Sequence, residues 1–177
     1  MQDLSDEQLI KIYQSNQDGY GQVALGYLYD RYAKLMLNFF YFSLHNDHNK
    51  AQDFVHDLFV RIIEKNQSFD NIHLFKTWIY RIASNMCKNE FRSEKVTRKY
   101  TDYIQSASEQ FILTNETDNT LKKCINELRQ DHRSLIVLRF KMKLSIREIA
   151  EVHECAEGTI KSRLFYATKE LSKLYKM

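Results

Sequence analysis

Two sets of side chains in this sequence have the types and spacing to hold a nucleic acid. The first is Arg81, Asn85, Lys88 and Arg92, which recur at intervals of four, three and four within "FKTWIYRIASNMCKNEFR". On a helix those intervals place all four on one face. Guanidinium and ammonium groups neutralise phosphates, while amides and aromatics meet bases. Thr77 and Ser84 flank the stripe, Tyr80 lies at its edge, and Phe75, Trp78, Ile79, Ile82 and Met86 point inward. Taken from this helix alone, Trp78 is a core residue. The second set is Thr159, Lys161, Ser162 and Arg163, followed by Phe165 and Tyr166, in "EGTIKSRLFYATKEL". Arg and Lys pair with guanine acceptors, serine is adaptable, and the first turn of a helix draws phosphate.

Local elements must aim these groups. In "LSIREIAEVH", Ser145 stands three residues before Glu148, the spacing of a capping box. Leu144, Ile146, Ile149, Ala150 and His153 then share a face. "ECAEG" supplies a turn, and Thr159 is placed to cap the helix that follows. There Ile160, Leu164, Ala167, Leu171 and Leu174 form a buried stripe and turn Ser162, Phe165, Tyr166 and Lys169 outward. Two short helices, a tight turn and a basic second helix describe a helix-turn-helix that reads a major groove. The plain alternative is a helical hairpin with solvated lysines.

A third face differs in sign. In "AQDFVHDLFVRIIEK", Phe54, Val55, Leu58, Phe59, Ile62 and Ile63 mark the inside, and Asp53, Asp57, Val60 and Glu64 the outside. That outer face is poor for nucleic acid and suits a basic protein surface. Its plain alternative is a solvated face.

The composition points to an all-α chain, since 177 residues include four glycines and no proline. The apolar period places helices at about 7–16, 23–44, 49–65 and 74–92, and again from 120 onward. Charge alternates in blocks: residues 1–75 carry 6 Lys/Arg against 10 Asp/Glu, 76–99 carry 7 against 2, 100–120 carry 0 against 4, and 121–177 carry 13 against 7. Two basic blocks suggest two contacts with a polyanion, and the acidic ones a different partner. The expected organisation is two small helical domains, 1–100 and 120–177, joined by a flexible acidic linker, 101–119. Cys87, Cys124 and Cys155 are odd in number and lack a CxxC pair, so they read as reduced thiols. The six histidines show no ligand spacing, and neither a nucleophile–base pair nor a Gly-rich phosphate loop occurs. No catalytic residue, metal or cofactor is expected. The acidic N-terminus has no apolar core of a signal peptide and no run is long enough to span a bilayer, so a cytoplasmic location without membrane insertion is expected.

Taken in order, "LYDRYAKLM", "AQDFVHDLFVRIIEK", "FKTWIYRIASNMCKNEFR" and then "LSIREIAEV" with "GTIKSRL" resemble the extracytoplasmic-function (ECF) group of the bacterial sigma-70 family. The resemblance covers nearly the whole chain and implies a promoter-specificity subunit of RNA polymerase, not an enzyme. It implies that Asp53, Asp57, Val60 and Glu64 dock on the clamp helices of the largest polymerase subunit, with the flap as a further contact. It implies that Asn71, Lys76, Trp78, Arg81, Asn85, Lys88 and Arg92 recognise and help open the −10 element. Thr159, Lys161, Ser162, Arg163 and Tyr166 would read the −35 element, and the linker would run through the RNA path. An anti-sigma factor is a partner such proteins often have. Tyr166 and Thr168 stand where relatives tend to carry arginine. A free-standing helix-turn-helix regulator with a helical sensor or dimerisation domain is the alternative, and the second basic stripe argues against it.

Overall fold

The computed structural model describes residues 1–15, 19–70, 72–98 and 119–176, with the side chains of 94–98 and 119 left aside. All regular structure among them is helical: α1 (Asp6–Ser15), α2 (Gly21–Ser43), α3 (His48–Lys65), α4 (Phe75–Arg98), α5 (Asn119–Glu127), α6 (Gln130–Ile136), α7 (Ile146–Val152) and α8 (Glu157–Tyr175). A 3₁₀ turn, Asn66–Ser68, follows α3, and a π-helical turn, Val137–Lys141, extends α6. Apart from Asn119, which opens α5, the expected linker lies outside the described residues.

Local chemistry explains the helix starts. The Ser5 hydroxyl accepts the Gln8 backbone N–H at 3.2 Å, and the Gln8 amide oxygen accepts the Ser5 N–H at 2.8 Å. Asp47 caps α3 by accepting from the Lys50 N–H at 3.0 Å. At α7 the Ser145–Glu148 capping box forms as the sequence predicts, with both reciprocal bonds made. The expected cap at Thr159 does not form. α8 begins earlier, behind Ala156 in an extended conformation, which leaves Thr159 exposed in the first turn.

α2 is the central element. It packs against α1, α3, α4 and the π-helical turn, with Leu28, Tyr32, Met36, Phe39 and Phe40 buried along it. Aromatic edges pack the middle: Tyr32 against Phe75, Phe39 against Tyr80, and Phe69 against Trp78. The expected inner faces form with some changes. On α3, Val55, Leu58, Phe59 and Ile62 are buried and Phe54 half-buried, but Ile63 is 44% exposed. On α4, Thr77, Tyr80 and Ser84 are buried instead of flanking an open stripe. α4 is covered on more than one side, because both α2 and α7 pack against it. The buried core therefore runs without a break from α1–α4 into Val137, Leu138, Ile149, Ile160 and Leu164. A second, smaller cluster joins Ile125, Leu128 and Ile136 to Ala167 of α8.

A buried polar group also ties this junction. Arg133 of α6 is only 3% exposed. Its guanidinium donates to the carbonyls of Ile125 (3.1 Å), Asn126 (2.5 Å) and Leu128 (3.0 Å). It also meets His45 Nε2 at 3.0 Å, just beyond α2, and lies over the Phe91 ring of α4.

Candidate nucleic-acid interface

The basic stripe of α4 and the helix-turn-helix face each other in this structure. Lys76 Nζ donates to Glu148 Oε1 at 2.8 Å, and Arg81 donates to Glu154 Oε1 at 2.9 Å. Both carboxylates belong to the C-terminal helices: Glu148 sits in the first turn of α7, and Glu154 in the turn between α7 and α8. Glu154 occupies a left-handed backbone position, φ 51°, where glycine or asparagine is the usual residue. Burial alone would raise the Glu148 carboxyl; the hydrogen bonds from Lys76 and Ser145 outweigh it, and its pKa is lowered. Burial, with Glu148 nearby, pushes the Tyr80 phenol up to about 12.

The expected −10 residues thus divide. Lys76 and Arg81 are half-buried and paired, whereas Asn85, Lys88 and Arg92 are exposed. Trp78 is 4% exposed among Phe69 and Phe75, so its ring is a core group with no face open for a base. The core placement read from the helix alone describes it, and the base contact implied by the resemblance does not. Asn71 lies outside the described residues.

The expected −35 residues stay together. Thr159, Lys161, Ser162 and Arg163 are exposed on the first two turns of α8, and Tyr166 is 58% exposed one turn later. Phe165 stacks edge-on against Tyr166. Thr168 turns inward and donates its hydroxyl to the Leu164 and Phe165 carbonyls. On α3, Asp53, Asp57 and Glu64 are exposed and Val60 is 40% exposed, forming one acidic face with an apolar centre.

Sequence reasoning missed Glu148, Glu154 and Arg133 as groups joining the two halves. Glu148 was legible only as a cap. Burial raises the Cys87 thiol to about 12, in keeping with an unreactive core thiol. Cys124 is buried, Cys155 half-buried, and all three are free. No group of His, Cys, Asp and Glu among the described residues could hold a metal ion. No helix among them is long and apolar enough to cross a membrane.

Comparison with known proteins matches two segments of the chain. Residues 28–97 match the model of Sigma-70 region 2, and residues 118–171 that of Sigma-70, region 4. The ECF RNA polymerase sigma factor SigW of Bacillus subtilis (strain 168) is 27% identical over 98% of this chain and 97% of its own. The ECF RNA polymerase sigma-E factor of Haemophilus influenzae is 28% identical over 67% of this chain and 71% of its own. The sigma factor RpoE, solved in complex with the anti-sigma factor NepR from Bartonella quintana, is 30% identical, with 80% of this chain and 90% of that one covered and a TM-score of 0.65. CnrH, solved with the cytosolic domain of CnrY, shares the fold at 21% identity and a TM-score of 0.70, over 97% of each chain.

Proposed function

Because this chain belongs to the ECF group of the sigma-70 family, we propose a division of labour among its helices. The chain is a promoter-recognising sigma factor, and it works with core RNA polymerase and promoter DNA. It is a transcription initiation factor; the absence of any reactive constellation in its sequence supports a role without enzymatic chemistry, and a cytoplasmic site of action follows from its partners. We assign residues 1–100 to polymerase docking and −10 recognition, 120–177 to −35 recognition, and 101–119 to the connection between them. Asp53, Asp57, Val60 and Glu64 on α3 dock on the clamp helices. Asn71, Lys76, Arg81, Asn85, Lys88 and Arg92 engage the −10 element. Trp78 supports them from the core. Thr159, Lys161, Ser162, Arg163 and Tyr166 engage the −35 element.

The observation that carries this reading is the opposition of charge within the first four helices. α3 presents carboxylates and α4 presents cations. A sensor or dimerisation domain has no use for that pairing of faces, whereas a subunit wedged between a basic protein surface and DNA needs both. Engagement has a structural condition. Lys76 and Arg81 reach DNA only when their pairs with Glu148 and Glu154 break, which the departure of α7 from α4 would bring about. The arrangement described here is thus a closed form, and an anti-sigma factor such as the one bound by RpoE would meet a choice between closed and open forms.

The test is run-off transcription with purified core polymerase and a library of promoters. Initiation at a restricted set sharing −35 and −10 sequences is the expected result. The absence of specific initiation from every template would leave the free-standing regulator as the better reading.

A further inference from the structure

In the closed form a cavity of 370 Å³ lies between α4 and the C-terminal helices. Lys88 enters it from α4, and Arg129, Asp131, His132, His153 and Arg163 line it from the other side. Its charges do not balance within the protein. Lys88, Arg129 and Arg163 bring three cations, and Asp131 is the only carboxylate in the lining. His132 is engaged through Nδ1 with Glu170 outside it. His153 Nε2 is buried and has no hydrogen-bond partner. Desolvation, then Lys88 and Arg163, lower the His153 pKa to about 4, against a small opposing effect of Asp131. This imidazole is therefore neutral near pH 7, and the lining carries three cations against one carboxylate.

Closing the two halves brings like charges together at this place while it pairs opposite charges at Lys76–Glu148 and Arg81–Glu154. A multivalent anion would remove that opposition. The volume lies in the lower part of the range of roughly 300–1,000 Å³ common for small-molecule sites, more than one phosphate needs. Guanidinium forks suit phosphoryl oxygens in particular, and a neutral imidazole with a free Nε2 can donate to another. We propose that this cavity binds a short phosphoryl chain, as free pyrophosphate or on a nucleotide, and that the bound anion latches the closed form. The proposal concerns regulation of the sigma-factor activity inferred above and rests on that reading for its consequence, though not for the binding itself.

The test uses the full chain in magnesium-free buffer at constant ionic strength. Calorimetric titrations with inorganic pyrophosphate, ATP and sulfate give the affinity and the source. Saturable binding of pyrophosphate, at least tenfold tighter than sulfate, is expected. Equal affinity for ATP places the phosphoryl chain alone in the site, and tighter ATP binding makes the ligand a nucleotide. Arg129→Gln, an exposed position, should weaken binding at least tenfold. Lys88→Gln with Arg163→Gln should abolish it, with unfolding curves showing that both variants fold. Core-binding titrations then read the latch: pyrophosphate should raise the core concentration needed for half-association with wild type, and have no effect on Arg129→Gln. Affinity equal to that for sulfate, or unchanged by Arg129→Gln, overturns the site. Run-off initiation by wild type without added pyrophosphate tests the activity separately. Initiation without pyrophosphate binding removes the site alone, and binding without initiation removes the sigma-factor reading alone.

Discussion

Single side chains here carry opposite tasks, and their surroundings decide which. Arg163 is exposed on α8, so its fork is free for a guanine edge; Arg133 is buried and spent on carbonyls. Arg163→Ala should therefore cost on the order of 1–3 kcal/mol in promoter affinity and relax preference at one −35 position if it reads a base. The measurement is run-off initiation on −35 variants at several salt concentrations. A uniform loss across sequences with a shallower salt dependence would reassign Arg163 to a phosphate. On α3, Asp53→Arg puts a cation into the acidic face without touching any packed group. It should weaken core binding by about tenfold, or about 1.4 kcal/mol, while leaving the unfolding midpoint unchanged. Unaltered core affinity would move the docking face elsewhere. Tyr166 and Thr168 share the same helix turn, but the Tyr166 ring is open to solvent whereas the Thr168 hydroxyl is bonded to its own helix.

At the level of elements, apolar period was enough to place the helices. α1 to α4 begin within two residues of the expected starts, because large apolar side chains recur every three or four positions. What was not legible has physical reasons. Thr159 has the chemistry of a cap, but the extended backbone at Ala156 starts the helix three residues sooner. The π-helical turn at Val137–Lys141 has no composition signal; it arises where Met142 N–H reaches the Val137 carbonyl at 2.9 Å. Trp78 was legible as core from its own helix, and only the analogy moved it to the DNA. The Ser145 cap gives a direct check on element strength. Ser145→Ala leaves the Glu148 N–H without its acceptor, while the Ser145 backbone N–H still holds the Glu148 carboxylate. The loss should be about 1 kcal/mol of stability, read in urea unfolding. A loss much smaller than that would mean that the helix-turn-helix is held by its apolar stripe alone.

Over the whole molecule, the closed form was beyond the reach of sequence reasoning, because its defining pairs join residues 72 and 73 positions apart and each partner alone looks like solvated charge. Its pH response follows from one buried group. His153 in the unfolded chain has the ordinary value of 6.5, and in the closed form it falls to about 4 through desolvation, Lys88 and Arg163, with Asp131 opposing. Between those values the unfolded chain binds a proton that the closed form refuses. Linkage then makes closure fully stable above about pH 6.5 and progressively weaker as pH falls toward 4. Glu148 adds to this only lower down: its pKa is depressed below the ordinary 4.5, so its contribution is intact above 4.5 and fades beneath it. Of the cations that oppose a charged His153, Lys88 on α4 acts across the junction and Arg163 on α8 acts within the helix-turn-helix. Protonation thus loads the contact between the halves as well as the packing of α7 on α8. Small-angle scattering should show the radius of gyration rising between pH 6.5 and 4 while helix content by circular dichroism stays level. His153→Gln, which keeps a polar group but takes no proton, should flatten the rise. A radius that stays constant to pH 4.5 in wild type, or rises equally in His153→Gln, would mean that the imidazole does not hold the junction and that the paired carboxylates alone set its response to acid.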